Sequence, residues 1–157
     1  MEKAVIIVAG GSGARMGATI PKQFMEIAGK PILIHTITAF YNFDPSIEII
    51  VVLPENQVEH WNELTKTFSF DIPHKIAHGG AERFYSVKNG LALVGDAINV
   101  IGIHDGVRPL VNTQTIKSCF EKANEKGAAI PVIKLNDSLR KIEETSSRAV
   151  NRDDYCL

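Results

Sequence analysis

Four stretches of this chain carry residue types that suit phosphoryl-group chemistry. The first follows an apolar run. Ala4-Val5-Ile6-Ile7-Val8 leads into Ala9-Gly10-Gly11-Ser12-Gly13-Ala14-Arg15-Met16-Gly17, and Pro21-Lys22-Gln23-Phe24 comes a short step later. A glycine-rich turn after a buried strand lets backbone N–H groups come close to phosphate oxygens. Spacing tests two common phosphate loops. The dinucleotide fingerprint needs a glycine at position 16, where this chain has Met16, which disfavours a nicotinamide-dependent oxidoreductase. The Gly-Lys-Ser/Thr of the P-loop does not occur. What remains is a glycine loop of Ala9, Gly10, Gly11, Ser12 and Gly13 with two cations, Arg15 and Lys22. Two fixed cations beside a nucleoside triphosphate suit phosphoryl-type transfer. They neutralise charge on the attacked phosphorus and on departing pyrophosphate. Taken alone, such a loop is as readily a plain strand-to-helix turn with surface cations.

Three further constellations narrow the choice. Gly79-Gly80-Ala81-Glu82-Arg83 precedes a helical pattern, with Ser86 one turn in. Adjacent glycines let the backbone hydrogen-bond the edge of a flat ligand such as a base; the plainer alternative is a turn whose acid favours the helix dipole. His104-Asp105-Gly106-Val107-Arg108-Pro109 ends another apolar run. An Asp at the carboxyl end of a parallel strand is well placed to hold Mg²⁺ on phosphates, and Arg108 can grip a second phosphate with two N–H groups. The alternative is a turn begun by Asp105, with Arg108 paired to a surface acid. Ser138, Arg140 and Arg152 lie on a polar stretch that is otherwise a solvated hairpin.

The elements that must position these residues alternate in type. Continuous apolar runs at 4–8, 48–53, 100–104 and 128–133 predict strands, with a short one at 74–77. Pro131 pushes the 128–133 strand to an edge or a bulge. Leu33, Ile37, Phe40 and Tyr41 share one helical face. Phe84, Val87, Leu91 and Val94 share another. Ile116, Cys119, Phe120 and Ala123 share a third, stopped by Gly127, and 58–67 is a weaker helix. Strand–helix alternation predicts a three-layer α/β sandwich with a mostly parallel sheet, whose ligands collect beyond the carboxyl ends of the strands. Residues 1–133 are expected to form this domain. Residues 134–157 begin a β-arm and the return to the core. Because 134–152 reads as a polar hairpin that cannot bury itself, it is expected to pack on a partner.

Composition excludes several classes. Among 157 residues, 45% are apolar and 22% charged, so the chain is neither disordered nor low in core-forming residues. Seventeen Lys and Arg against eighteen Asp and Glu leave a net charge of −1, which argues against a nucleic-acid coat. No apolar run reaches the ~18 residues of a membrane span. The N-terminus has no signal-peptide pattern, and two cysteines make no disulfide framework, so the expected location is the cytoplasm. The chain stops at Asp153-Asp154-Tyr155-Cys156-Leu157, where an apolar segment starts. A longer parent chain is expected, with a short sheet-closing strand as the alternative.

The four motifs together resemble the 2-C-methyl-D-erythritol 4-phosphate cytidylyltransferases of non-mevalonate isoprenoid synthesis. The residues that carry the resemblance are Ala9 to Met16, Pro21 to Phe24, Gly79 to Val87 and His104 to Pro109, and it runs in order from residue 3 to Leu157. It implies a nucleotide-diphospho-sugar transferase-like sandwich with a protruding β-arm that forms a homodimer. It implies that Ala9, Gly10, Gly11, Ser12 and Gly13 wrap the CTP triphosphate, and that Arg15 and Lys22 are the catalytic cations. Gly79, Gly80, Ala81 and Ser86 would meet cytosine and ribose. Asp105 would lie near Mg²⁺, or another divalent cation, and near the acceptor. Arg108 would contact the acceptor. Ser138 and Arg152 would reach the acceptor phosphate of the other subunit. Ser138 stands where many relatives have Thr, and Gly106-Val107 where many have Ala-Ala or Ala-Val. Family members continue into Thr-Pro-Gln and a further C-terminal segment that supplies a strand, helices and additional site residues. The implied reaction joins CTP to a sugar-alcohol phosphate and releases pyrophosphate. Ribitol 5-phosphate is the alternative acceptor, and a CTP-binding module without activity the alternative class. Such a transfer needs no general base, so His35, His60, His74 and His78 receive no catalytic part. His104 is expected to orient Asp105, and Cys119, on an apolar helix face, is not expected to be a nucleophile.

Overall fold

A computed structural model describes residues 1–10 and 20–157. The chain runs through β1 (Lys3–Val8), β2 (Glu26–Ile27), β3 (Lys30–Pro31), α1 (Ile32–Phe43), β4 (Glu48–Leu53), α2 (Val58–Thr67), β5 (Lys75–His78), α3 (Arg83–Leu91), β6 (Val100–Asp105), α4 (Thr113–Lys126), β7 (Leu139–Ile142) and β8 (Ser147–Val150). The main sheet has the order β5-β4-β1-β6, with every neighbouring pair parallel. Parallel pairing needs a crossover between strands, and the helices supply it.

The two inner strands have no polar face. Ala4, Val5, Ile6 and Ile7 of β1 and Ile50 to Leu53 of β4 are fully buried. Burying each such Val, Ile or Leu side chain contributes about 1.5–3 kcal/mol. One sheet face, with Val5, Ile7, Ile49 and Val51, packs beneath Leu33 and Ile37 of α1, Trp61 of α2, and Ile116 and Phe120 of α4. The other face, with Ala4, Ile6, Ile50 and Val52, is covered by α3. Helix α4 begins at Asn112, whose side chain accepts the Thr115 N–H at 2.8 Å, and stops at Gly127, which takes the left-handed φ of 89°.

Two sequence expectations need correction. Helix α3 buries the predicted stripe only in part: Phe84 and Leu91 are exposed, Val87 is half-buried, Val94 just past the helix packs on the sheet, and Ser86 and Gly90 face inward. The cause is close approach. A Cβ at Gly90 would come within 2.7 Å of Ile6 Cγ2, so only glycine lets the helix sit this low on β1 and β4. Second, 128–133 forms no strand of the main sheet. Pro131 has no N–H to give to a ladder. Ile133 exchanges hydrogen bonds with Leu157 instead, at 2.9 and 3.0 Å, and Lys134 bridges Cys156. Between Ala129-Ile130 and the edge of β6 lies an apolar hollow of about 320 Å³ that reaches Phe40 and Phe120. The polar hairpin is found as expected. β7 and β8 pair antiparallel as a sheet of their own, and Ile142 near its tip is 85% exposed.

Candidate active site

The described parts of three of the four predicted constellations lie at the carboxyl end of the main sheet. Val8 pairs with Asp105 and Val52 with Ala77, so β1, β4, β5 and β6 end at a common level. Gly10 leaves β1 there, and a Cβ on it would lie 4.0 Å from Ser86 Oγ. The start of the glycine loop therefore faces the first turn of α3. Gly11, Ser12, Gly13 and Arg15 lie outside the described residues.

The turn from β5 into α3 is held by one hydroxyl. Ser86 Oγ accepts the Gly80 N–H at 3.0 Å and donates to Glu82 O at 3.2 Å, and Ser86 is 4% exposed. Gly79 N–H donates to Leu53 O at 2.8 Å, which fixes the turn to the end of β4. Gly80 has no room for a side chain: a Cβ would stand 2.3 Å from Tyr85 Cβ. Ala81 lies exposed between them. The turn is thus rigid and open to solvent on its outer side, as a surface for the edge of a flat ring must be.

Asp105 ends β6 and is gripped on both oxygens. Arg83 Nη2 donates to Oδ1 at 3.0 Å, and Arg108 Nε donates to Oδ2 at 2.8 Å. Burial pushes this carboxyl up, but the hydrogen bonds from Arg83 and Arg108 outweigh it and hold it below the ordinary carboxylate range. It is therefore ionised at neutral pH. The following turn is locked to its surroundings: Gly106 N–H donates to Val8 O at 2.8 Å, and Thr36 Oγ1 donates to Gly106 O at 2.8 Å. His104 does not orient Asp105. Its ring packs edge-on against Phe40 at 4.9 Å, its buried Nδ1 has no partner among the described residues, and burial lowers its pKa, so it stays neutral.

Lys22 stands exposed on a 3-10 turn, Lys22–Phe24. Its neighbours are the anchors. Gln23 is 1% exposed and donates to Gln57 Oε1 at 2.6 Å, while Phe24 stacks on Trp61 with ring centroids 6.3 Å apart. Gln57 lies just beyond the end of β4, so this turn is fastened on the carboxyl-end side of the sheet. Two of the other histidines have hydrogen-bond partners: His74 accepts from Trp61 Nε1 at 3.0 Å, and His35 Nε2 lies 2.7 Å from Ile27 O.

Ser138 and Arg152 flank the base of the arm, where Leu139 pairs with Val150. Arg152 Nη1 donates to Asn136 O at 2.6 Å, two residues before Ser138. Neither touches Asp105, Arg108 or the Gly79–Ser86 turn among the described hydrogen bonds. No group of three His, Cys, Asp or Glu side chains comes together among the described residues, so they form no all-protein cation cage. Because Arg83 and Arg108 already occupy both of its oxygens, Asp105 is not free to bind a cation as it stands; a cation there would have to be held chiefly by phosphate oxygens and water, as Mg²⁺ commonly is at triphosphate sites, with Asp105 released by at least one arginine. Two residues of consequence were not singled out from sequence. Arg83 was inside a quoted motif, but its partner is 22 residues away. Gln57 carries no motif at all.

Comparisons with known proteins bear on this arrangement. The profile of the family described as IspD, 2-C-methyl-D-erythritol 4-phosphate cytidylyltransferase, matches residues 3–154. The enzyme of that name from Bacteroides fragilis is 51% identical over 157 residues, which span 100% of this chain and 71% of the relative. Its counterpart from Phocaeicola vulgatus is also 51% identical, over 158 residues, with the same shares of each chain. The crystal structure of 4-diphosphocytidyl-2C-methyl-D-erythritol synthase from Anaerococcus prevotii superposes with a TM-score of 0.83. It covers 99% of this chain and 67% of its own, and at 22% identity it shows a common fold. The sequence match over the whole chain carries the assignment: this chain belongs to the 2-C-methyl-D-erythritol 4-phosphate cytidylyltransferase family of nucleotidyltransferases.

Proposed function

We propose that this chain joins CTP to 2-C-methyl-D-erythritol 4-phosphate, giving the CDP-linked alcohol and pyrophosphate. The observation that carries this reading is the meeting of Gly10, the Gly79–Ser86 turn and Asp105 with Arg108 at the carboxyl end of one parallel sheet. Half identity to enzymes of that name supports the choice of acceptor over ribitol 5-phosphate.

An oxygen of the acceptor phosphate attacks the α-phosphorus of CTP in line. The new P–O bond forms as the bond to the β-phosphate oxygen breaks, and pyrophosphate leaves with that electron pair. The nucleophile is already an anion, so no side chain has to remove a proton. The protein supplies position and charge. Gly10 to Gly13 take the triphosphate with their N–H groups, and Ala9, whose own N–H donates to Val52 O at 2.9 Å, anchors the start of that loop to β4. Arg15 and Lys22 meet the negative charge that builds on the transferring and leaving phosphates. Gly79, Gly80 and Ala81 read the base edge through backbone groups other than the Gly79 and Gly80 N–H, which already hold the turn on Leu53 O and Ser86 Oγ. Arg108 grips the acceptor phosphate. Asp105, released by at least one arginine, would hold Mg²⁺ or another divalent cation, which when bound supplies further neutralisation of the triphosphate.

The arm completes the reading. It buries little of itself within one copy, and pairing with a second copy in a homodimer would bring Ser138 and Arg152 to the partner's acceptor phosphate. Among the described residues no helix is long and apolar enough to cross a membrane, and both cysteines are free thiols, which fits the cytoplasm. The test is pyrophosphate release with Mg²⁺, CTP, and methylerythritol phosphate or ribitol phosphate in parallel. Release with methylerythritol phosphate supports the assignment. Release with ribitol phosphate alone replaces it, and CTP binding without release with either acceptor points to a binding module.

A further inference from the structure

We propose that Arg83 is a positioning residue that couples the base-side turn at Gly79–Ser86 to the acceptor-side carboxylate of Asp105, so that a ligand on one is felt at the other. The proposal rests on the roles given above to that turn and to Asp105.

Arg83 is the first residue of α3, and its backbone root is set by the turn itself. The Ser86 hydroxyl ties Gly80 N–H to Glu82 O immediately before Arg83. The contact of Gly80 with Tyr85 leaves that turn no slack. From this fixed root the guanidinium crosses to a different strand end and takes Asp105 Oδ1 at 3.0 Å.

The second arginine cannot do the same work. Arg108 is three residues from Asp105, in the same turn, and its own N–H donates to Asp105 O at 3.1 Å. It holds Oδ2 but reports nothing from outside that turn. With Oδ1 on Arg83 and Oδ2 on Arg108, both carboxylate oxygens are taken and the plane of the group is set by two different elements. Because the turn and the α3 terminus move as one rigid unit, any shift of that unit when a base seats on the glycines is transmitted to Oδ1.

Stability does not account for the pair. The Arg83 side chain is 59% exposed and that of Asp105 33% exposed. Exposed ion pairs contribute little to folding. Two guanidiniums on one carboxylate also leave one positive charge uncompensated, which suits a place meant to receive phosphate rather than a neutral structural clasp.

The test uses Arg83→Gln, Asp105→Asn, the double variant and Arg83→Lys, each first shown to unfold at the temperature of the unsubstituted chain. The first readout needs no turnover. Cytidine, which carries no phosphate, is titrated while the Asp105 side-chain carboxyl carbon is followed by NMR. The carboxyl resonance should move in the unsubstituted chain, lose that response in Arg83→Gln, and regain part of it in Arg83→Lys. No movement in the unsubstituted chain, or equal movement in Arg83→Gln, overturns the coupling. The second readout is kcat for pyrophosphate release. Arg83→Gln should lower it about ten- to a hundredfold, the scale of a small misplacement. The double variant should be no slower than Asp105→Asn alone. Losses that multiply, or unchanged turnover in Arg83→Gln, also overturn it. Absence of pyrophosphate release by the unsubstituted chain instead defeats the assigned reaction, and the cytidine titration still decides the coupling.

Discussion

Gly106 lies so close to Ala9 that a Cβ on it would stand 2.8 Å from the Ala9 Cβ. The turn that carries Asp105 and the first residue beyond β1 are thus in direct backbone contact, and the N–H of Gly106 adds a hydrogen bond to Val8 O at 2.8 Å. Ala9 is 2% exposed and has no side chain that can swing away. With the backbone as it stands in this chain, Gly106→Ala would press its Cβ on Ala9, and the turn or the strand end would have to shift. The expected cost is about 1–3 kcal/mol of stability, the usual range for overpacking, measured by urea unfolding. An unchanged midpoint would show that the turn has room that the described geometry does not give it.

Lys22→Ala should cut turnover by orders of magnitude while CTP affinity falls only modestly, because a cation that meets developing charge acts mainly in the transition state. The buried Gln23 and Phe24 hold the turn without it, so the fold should be unaffected. Steady-state kinetics beside calorimetric CTP binding separates the two effects. Near-normal turnover removes Lys22 from the catalytic group.

Arg152→Ala should weaken the acceptor more than CTP. Its present partner is the Asn136 carbonyl at the root of the arm, far in sequence from the residues assigned to the nucleotide. The KM for the acceptor should rise with the CTP dissociation constant little changed. Equal loss of both would mean that the arm has misfolded.

Asp44 supplies a pH test of the fold. The hydrogen bond from Lys3 lowers its pKa most, with help from Ser46, from the ordinary 3.8 to about 2. A carboxyl whose folded pKa lies below its unfolded one adds stability above the unfolded value, and that stability is lost as pH falls through the folded value. Asp44→Asn should cost about 1–2 kcal/mol at pH 7, and the difference should fade between about pH 4 and pH 2. A difference that persists at pH 2 would assign the effect to packing.

Ser86→Ala should loosen the β5–α3 turn. It leaves the Gly80 N–H without its acceptor and removes the bond to Glu82 O, a cost of about 1–3 kcal/mol if the N–H stays unsatisfied. CTP should weaken along with stability, since the same hydroxyl shapes the surface proposed for the base. Full CTP affinity in a destabilised variant would place the base elsewhere.

Sequence pattern located the strands that make the parallel sheet because β-branched runs such as Val5-Ile6-Ile7 admit few other uses. It also placed the helix stop at Gly127 and the polar hairpin. It failed where tertiary fit overrides periodicity. Phe84, Val87 and Leu91 repeat at helical spacing, yet α3 turns Ser86 and Gly90 inward because glycine permits an approach that a larger residue forbids. Ile130 to Ile133 reads as a strand by composition, but pairing depends on a neighbour that no local pattern reports. The site was legible as motifs, and its wiring was not. Nothing near Arg83 in sequence names Asp105 as its partner, and nothing near Lys22 reveals that Gln57 fastens the turn beneath it. His104, adjacent to Asp105 in sequence, turned out to face Phe40, because alternation along β6 points successive side chains to opposite faces.

The most direct test of the central claim is ³¹P NMR of a mixture of this chain, Mg²⁺, CTP and 2-C-methyl-D-erythritol 4-phosphate labelled with ¹⁸O in its phosphate. Direct displacement predicts growth of a coupled pair of diphosphate doublets together with pyrophosphate, the label sitting in the bridge between the two phosphorus atoms. A diphosphate whose bridging oxygen carries no label, or resonances of CTP and acceptor that stay unchanged, would contradict it.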